Sequence, residues 1–189
     1  KCEKFGIDLP ISLEKYKECS EFLIINMFEK YDYDKSNKEL IQYLENKNCT
    51  SYVLNIGGNI RIIGTKVNGE GWVTGIKNPL NTETYAFYTN LSNTSCVTSG
   101  DYERYFTVNN EKYHHIIDPD TLMPSNYFSS ITVITKDSGL ADTLSTALFC
   151  MSYEEGLELV EKLEGVEVLW IYKNGEQVKT DGLLAIENN

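Results

Sequence analysis

The sequence predicts an α+β fold: one domain with a mainly antiparallel sheet and flanking helices. Three observations carry that expectation. Between Ser51 and Val108 short apolar stretches alternate with turn residues at the spacing of successive strands. Helical patterning is confined to one segment before this region and two after it. At 189 residues the chain has room for one sizeable core, and it shows no repeat, low-complexity tract or linker.

The first twenty residues are short mixed segments, with GIDLPISL turning around Pro10. SEFLIIN (20–26) reads as a buried strand, four apolar residues flanked by polar ones. A helix is expected from about Asp34 to Lys47, capped by Asp34 or Ser36, with Leu40, Ile41 and Leu44 on one face. SYVLNI, the turn GGN and IRIIGTKV form an expected antiparallel pair, followed by strands GWVTGI, TYAFYTN and SCVTS. Asn68-Gly69 is a hairpin signal, and NNEK (109–112) turns into a strand YHHII. SSITVIT (129–135) alternates as a half-buried strand does. Helices follow from Ser138 to about Met151 and from Tyr153 to Leu163, and VEVLWIY with EQVKT closes the chain as a hairpin around Asn174-Gly175.

Composition narrows the function classes. Seventeen basic against 28 acidic residues give a net charge of −11, the wrong sign for nonspecific binding to nucleic acid. A phosphate-rich ligand is repelled at long range, so it needs backbone amides, a helix N-terminus or a cation to hold it. No apolar run is long enough to cross a bilayer, and no basic-then-apolar leader is visible. The five cysteines are scattered without a CxxC, which suggests small buried hydrophobes rather than zinc ligands or a disulfide framework.

Chemistry concentrates in the second half. In SGLADTLSTALFCM, Leu140, Leu144, Leu148 and Met151 fall on one stripe that is expected to face the core. Asp142 and Thr146 are four apart, so they stack on another face and offer two hard oxygens of the kind magnesium takes. Spacing alone favours the plainer reading, an acidic residue near the helix's positive end and a solvent-facing threonine. His114 and His115, the two histidines, point to opposite faces if they lie on a strand, so one at most serves a given site. Imidazole is suited to take a proton from a hydroxyl nucleophile near neutral pH. Asp118-Pro119 ends that strand with a turn. The paired glycines Gly57 and Gly58 read as a turn, or as a place where a ligand approaches the backbone closely.

In order, the chain shows FLIIN, EKYDYD, a helix, NIGGN, TSGDY, HIIDPDTLMP and ADTLST. From about Glu21 onward this resembles the ApbE family of FAD:protein FMN transferases, its C-terminal part, without the family's N-terminal half. The resemblance implies magnesium-dependent transfer of FMN from FAD to a Ser/Thr hydroxyl of an acceptor flavoprotein, with AMP released. The alternatives are an FAD pyrophosphatase and a noncatalytic flavin-binding module. It also implies roles for individual residues. Asp142, Thr146 and the backbone of Asn26 match the family's magnesium ligands. Glu29 lies where the family holds the flavin nucleotide, together with the turn at Gly57 and Gly58. Ile116 sits where its chain contacts FAD, and His115 matches the motif histidine, the expected proton acceptor. Two departures stand out: Lys30 replaces the usual glycine before Tyr31, and Leu122-Met123 interrupts the usual T-G-x-P. By the same resemblance the protein is expected to be bacterial and extracytoplasmic, held at the membrane only through a lipid anchor outside this chain.

Overall fold

The structure, a computed structural model, describes residues 23–27, 42, 44, 46 and 48–184. The expected turn at Pro10, the caps Asp34 and Ser36, and Glu29, Lys30, Cys2 and Cys19 lie outside the described residues. Of the expected helix, Gln42, Leu44 and Asn46 are helical and Leu44 is buried.

A seven-stranded sheet organises the chain, in the order β1 (Leu23–Met27), β2 (Tyr52–Ile56), β3 (Asn59–Ile63), β6 (Thr94–Gly100), β9 (Phe128–Thr135), β10 (Glu167–Tyr172), β11 (Gln177–Lys179). Only β1 and β2 pair in parallel, and the other neighbours are antiparallel. Two ribbons stand apart from that sheet among the described residues: β4 (Trp72–Asn78) with β5 (Asn81–Leu91), and β7 (Tyr105–Val108) with β8 (Glu111–His114). The α+β prediction therefore holds.

Helix α1 (Ser138–Phe149) packs against β6 and β9. Asp137 caps it, accepting from the Gly139 and Leu140 N–H groups at 2.8 and 2.9 Å. Helix α2 (Tyr153–Val160) begins with a capping box in which Ser152 and Glu155 bond each other's backbone. One core cluster lies between sheet and helices, with Ile131, Val133, Leu144, Leu148 and Trp170 among its members. A second, including Ile62, Trp72, Phe87, Ile134 and Ile171, draws its residues from the sheet, the β4–β5 ribbon and Leu183 beyond β11.

Three expectations are corrected. β9 is buried at all eight positions rather than half-buried, because it is a central strand contributing to both clusters. Asn68-Gly69 does form a tight turn, with Gly69 N–H donating to the Lys66 carbonyl at 2.9 Å. It is not a hairpin, since β3 pairs with β6 and β4 with β5. In α1 Leu140 is exposed, and the buried face is Ala141, Leu144, Ser145, Leu148 and Phe149. Of the described cysteines only Cys96 is buried, which pushes its thiol up to about 12; Cys49 and Cys150 are half-buried.

Candidate functional site

The turn between β2 and β3 sits beside the start of α1. Gly57 and Gly58 both have positive φ, 59° and 95°, the two-residue geometry that joins twisted antiparallel strands. An added side chain at Gly58 meets nothing within 4 Å, so backbone conformation and not space demands glycine there. Asn55 Oδ1 accepts from the Gly58 N–H at 3.1 Å, and Asn59 Nδ2 donates to the Ser138 carbonyl at 3.4 Å. That second bond ties the glycine turn to the helix N-terminus. Arg61, next on the same strand, donates to Ser95 Oγ at 3.2 Å and to the Lys136 carbonyl, placing a cation by the residues that lead into α1. Asn26 lies in β1 in register with Asn55.

Asp142 and Thr146 follow on α1. Thr146 Oγ1 donates to the Asp142 carbonyl at 3.2 Å, the back-bond that an i, i+4 hydroxyl makes on a helix. The Asp142 carboxylate has no hydrogen bond or ion pair among the described residues. As a residue it is open to solvent, yet the surrounding protein withdraws enough water to raise its carboxyl above its ordinary value. An unpartnered carboxylate next to a hydroxyl is a hard-oxygen donor pair, which fits magnesium. No cluster of three or more His, Cys, Asp or Glu side chains that could hold a metal occurs among the described residues.

The histidine loop occupies the other end of α1. His114 is buried: its Nδ1 accepts from the Ile116 N–H at 3.3 Å, and its Nε2 donates to the Ser125 carbonyl at 2.9 Å. Its ring meets Phe149 edge-on with centroids 5.6 Å apart. Burial lowers its pKa below the ordinary value. His115 is exposed, with Nδ1 at 3.2 Å from the Arg104 carbonyl. Donating there leaves Nε2 with a free lone pair. The strand expected over YHHII is instead Glu111–His114, so His115 lies past its end; the two histidines still part, one buried and one exposed. The Ile116 side chain is in the core, so a ligand meets only its backbone, and Ile117 is the exposed neighbour. Ser125 Oγ anchors the loop to the Phe149 carbonyl at 2.5 Å. The structure brings Gly57, Gly58 and the start of α1 together, whereas His114 and its loop sit at the C-terminal end of that helix.

Leu122 explains one departure from the motif. Its φ is +57°, the left-handed conformation that glycine accepts without strain, and its side chain is 76 % exposed. The loop keeps its shape through Asp118, whose Oδ1 accepts from the Asp120 and Thr121 N–H groups at 2.8 and 3.3 Å. Leu122→Gly is therefore expected to stabilise the chain. Relief of about 1–2 kcal/mol of strain outweighs an entropic cost of roughly 0.4–1 kcal/mol. Thermal denaturation checks this, and an unchanged or lower midpoint counts against the strain.

Comparison with known proteins decides the family. A model of the ApbE family matches residues 36–170. The chain belongs to the ApbE family. It is 37% identical over 127 residues to the FAD:protein FMN transferase of Haemophilus influenzae, covering 66% of this chain and 37% of that protein. The Vibrio cholerae enzyme of that name is 34% identical over 139 residues, covering 72% of this chain and 41% of its own. The crystal structure of the ApbE protein of Thermotoga maritima superposes with a TM-score of 0.61 at 37% identity, over 66% of this chain and 41% of that one. The chain thus spans about two fifths of the length of these curated ApbE relatives. No motif signal in the sequence marks the hydroxyls of Ser99 and Ser145 or the contacts of Asn59 and Arg61; Ser99 lies near the end of β6 within the TSGDY segment, and only the fold brings it to Ser145.

Proposed function

We propose that this chain supplies the diphosphate-holding part of a magnesium-dependent transfer of FMN from FAD to a Ser or Thr hydroxyl of an acceptor protein, with release of AMP. The observation that carries it is the unpartnered, desolvated Asp142 carboxylate beside Thr146 on one helix face. The names of the relatives, FAD:protein FMN transferase, support the substrate and the transferred group.

Magnesium would be held by the Asp142 carboxylate, the Thr146 hydroxyl and the Asn26 backbone carbonyl. Bound there, it supplies neutralisation of charge on the diphosphate oxygens, which a chain of net charge −11 otherwise repels. The Gly57–Gly58 turn lets a phosphate approach the backbone closely, while the Gly58, Gly139 and Leu140 N–H groups are already held by Asn55 and Asp137. Glu29 and the Ile116 backbone contact the flavin nucleotide. His115 takes the proton of the attacking hydroxyl at Nε2, its Nδ1–H being fixed on the Arg104 carbonyl. The new O–P bond forms at the FMN phosphorus as the bond to the bridging oxygen breaks, and AMP carries that oxygen away. We place this chemistry outside the cytoplasm of a bacterium, at a membrane reached by a lipid anchor.

The test is incubation with FAD, magnesium and a flavoprotein acceptor domain, followed by mass spectrometry of the acceptor. One added FMN is the expected result. Free FMN and AMP without modified acceptor would make the activity a pyrophosphatase, and intact FAD throughout would leave only a flavin-binding module.

A further inference from the structure

Three hydroxyls meet where β6 passes under α1. Ser99 Oγ lies 2.8 Å from Ser145 Oγ and 3.3 Å from Thr146 Oγ1. Ser145 Oγ is also 3.0 Å from the Asp142 carbonyl, as Thr146 Oγ1 is at 3.2 Å. A hydroxyl has one proton to donate, while a carbonyl can only accept. Ser145 therefore spends its proton on the Asp142 carbonyl, so its 2.8 Å contact with Ser99 has Ser99 as donor. Ser99 then has no proton left, and in its contact with Thr146 it can only accept. Whether the Thr146 proton goes to Ser99, to the Asp142 carbonyl or is shared between them, it points into the protein.

We propose that Ser99 is a positioning residue of the cation site: with Ser145 it forms a hydroxyl relay that holds the Thr146 proton inward and presents its lone pairs outward to a hard cation. The inference rests on the magnesium reading above and adds the reason a threonine there acts as ligand rather than as donor to solvent or substrate. A hydroxyl free to rotate gives its proton to a phosphate oxygen as readily as it gives its lone pair to a metal; the relay removes the first option. Ser99 donates to Ser145 and Ser145 to the Asp142 carbonyl, so the first bond polarises the second. Ser145 is fully buried and Ser99 half-buried, so the relay is shielded from water on its inner side. Mere adhesion between helix and sheet needs the Ser99–Ser145 bond but not this proton order, and the two readings differ in what they predict for metal affinity.

The experiment titrates Mn2+ into the full chain and follows water-proton relaxation, with thermal midpoints measured in parallel. Ser99→Ala leaves Thr146 without its acceptor on β6, and Ser145→Ala frees the Ser99 proton to bond Thr146 Oγ1, reversing the order. Each is expected to weaken Mn2+ binding about tenfold or more, the usual consequence of losing a group that orients a ligand. Ser99→Thr keeps the hydroxyl and is expected to bind as the parent does. Should Ser99→Ala lose its fold, Ser145→Ala carries the test, because it leaves the strand intact. Parent-like affinity in both alanine variants, with binding lost in Asp142→Asn, overturns the relay alone. Parent-like affinity in Asp142→Asn as well overturns the relay and the magnesium site together.

Discussion

On the proposed reading, Asp142→Asn is expected to abolish FMN transfer while leaving the cation-free chain slightly more stable. The two effects have one cause. The Asp142 carboxyl is raised above its ordinary value because burial strips water from its charged form, and no protein cation among the described residues offsets the loss. A group whose folded pKa is raised binds protons more tightly folded than unfolded. Its charge therefore costs stability once the pH rises through the unfolded and then the folded value. Above the folded value the carboxylate is ionised and the cost is fully present. Asparagine is nearly isosteric and removes it, so the thermal midpoint without divalent cation should rise by about 1–2 °C, the scale of a half-exposed substitution.

The loss of activity comes from the same atoms. Without the carboxylate the cation has only neutral oxygens to bind, and the diphosphate meets an uncompensated negative field. If the cation contributes about 2.7 kcal/mol or more to the transition state, transfer falls by at least roughly a hundredfold. Differential scanning fluorimetry with and without magnesium, beside the mass-spectrometric assay, reads both effects. Magnesium should raise the midpoint of the parent and not that of the variant. A variant that transfers FMN at the parental rate removes Asp142 from the chemistry altogether.

What was legible in the sequence depended on how local the signal was. Turn chemistry at Gly57-Gly58 and Asn174-Gly175, and alternation in the strands around them, are properties of a few residues, and β2–β3 and β10–β11 form as read. Asn68-Gly69 carries the same local signal, but strand pairing there is decided by distant partners, β3 with β6 and β4 with β5. The burial of β9 was hidden for a related reason. Ser130 and Thr132 look like a solvent face, yet both are buried and Thr132 meets Thr98 at 2.7 Å. The stripe in α1 failed through geometry: a four-residue step overshoots a full turn by about 40°. Leu140 thus lies about 80° round the helix from Leu148. The smaller Ala141 and Ser145 fill the core face instead. At the site, the order of motifs identified the family, and the spacing of Asp142 and Thr146 put them on one face. The hydroxyl relay could not be read, because Ser99 is 46 residues from Ser145 and only the sheet brings them together.

His114→Ala is expected to be the most destabilising of these changes, at about 2–4 kcal/mol, and to loosen the loop that carries His115. The ring is 6 % exposed and uses both nitrogens, so its removal strands the Ile116 N–H and the Ser125 carbonyl at once. Each buried polar group left without a partner costs about 1–3 kcal/mol, less whatever water recovers. The thermal midpoint should fall by roughly 5–10 °C. Burial, with the repulsion of Lys173 and His115 adding to it, lowers the imidazole below its ordinary 6.5; the Ser125 carbonyl and Asp101 act the other way. The unfolded chain therefore binds this proton at a higher pH than the folded one does. The stability His114 contributes is complete above about pH 6.5 and is lost as the pH falls below it, because protonation puts a hydrogen on the nitrogen that must accept from Ile116. His114→Gln separates the two effects. It keeps a donor and an acceptor but cannot titrate, so it should recover part of the stability and lose the acid slope. An alanine variant with the parental midpoint, or a glutamine variant that retains the slope below about pH 6.5, would mean that the loop is held by Asp118 and Ser125 and that His115 owes nothing to its neighbour.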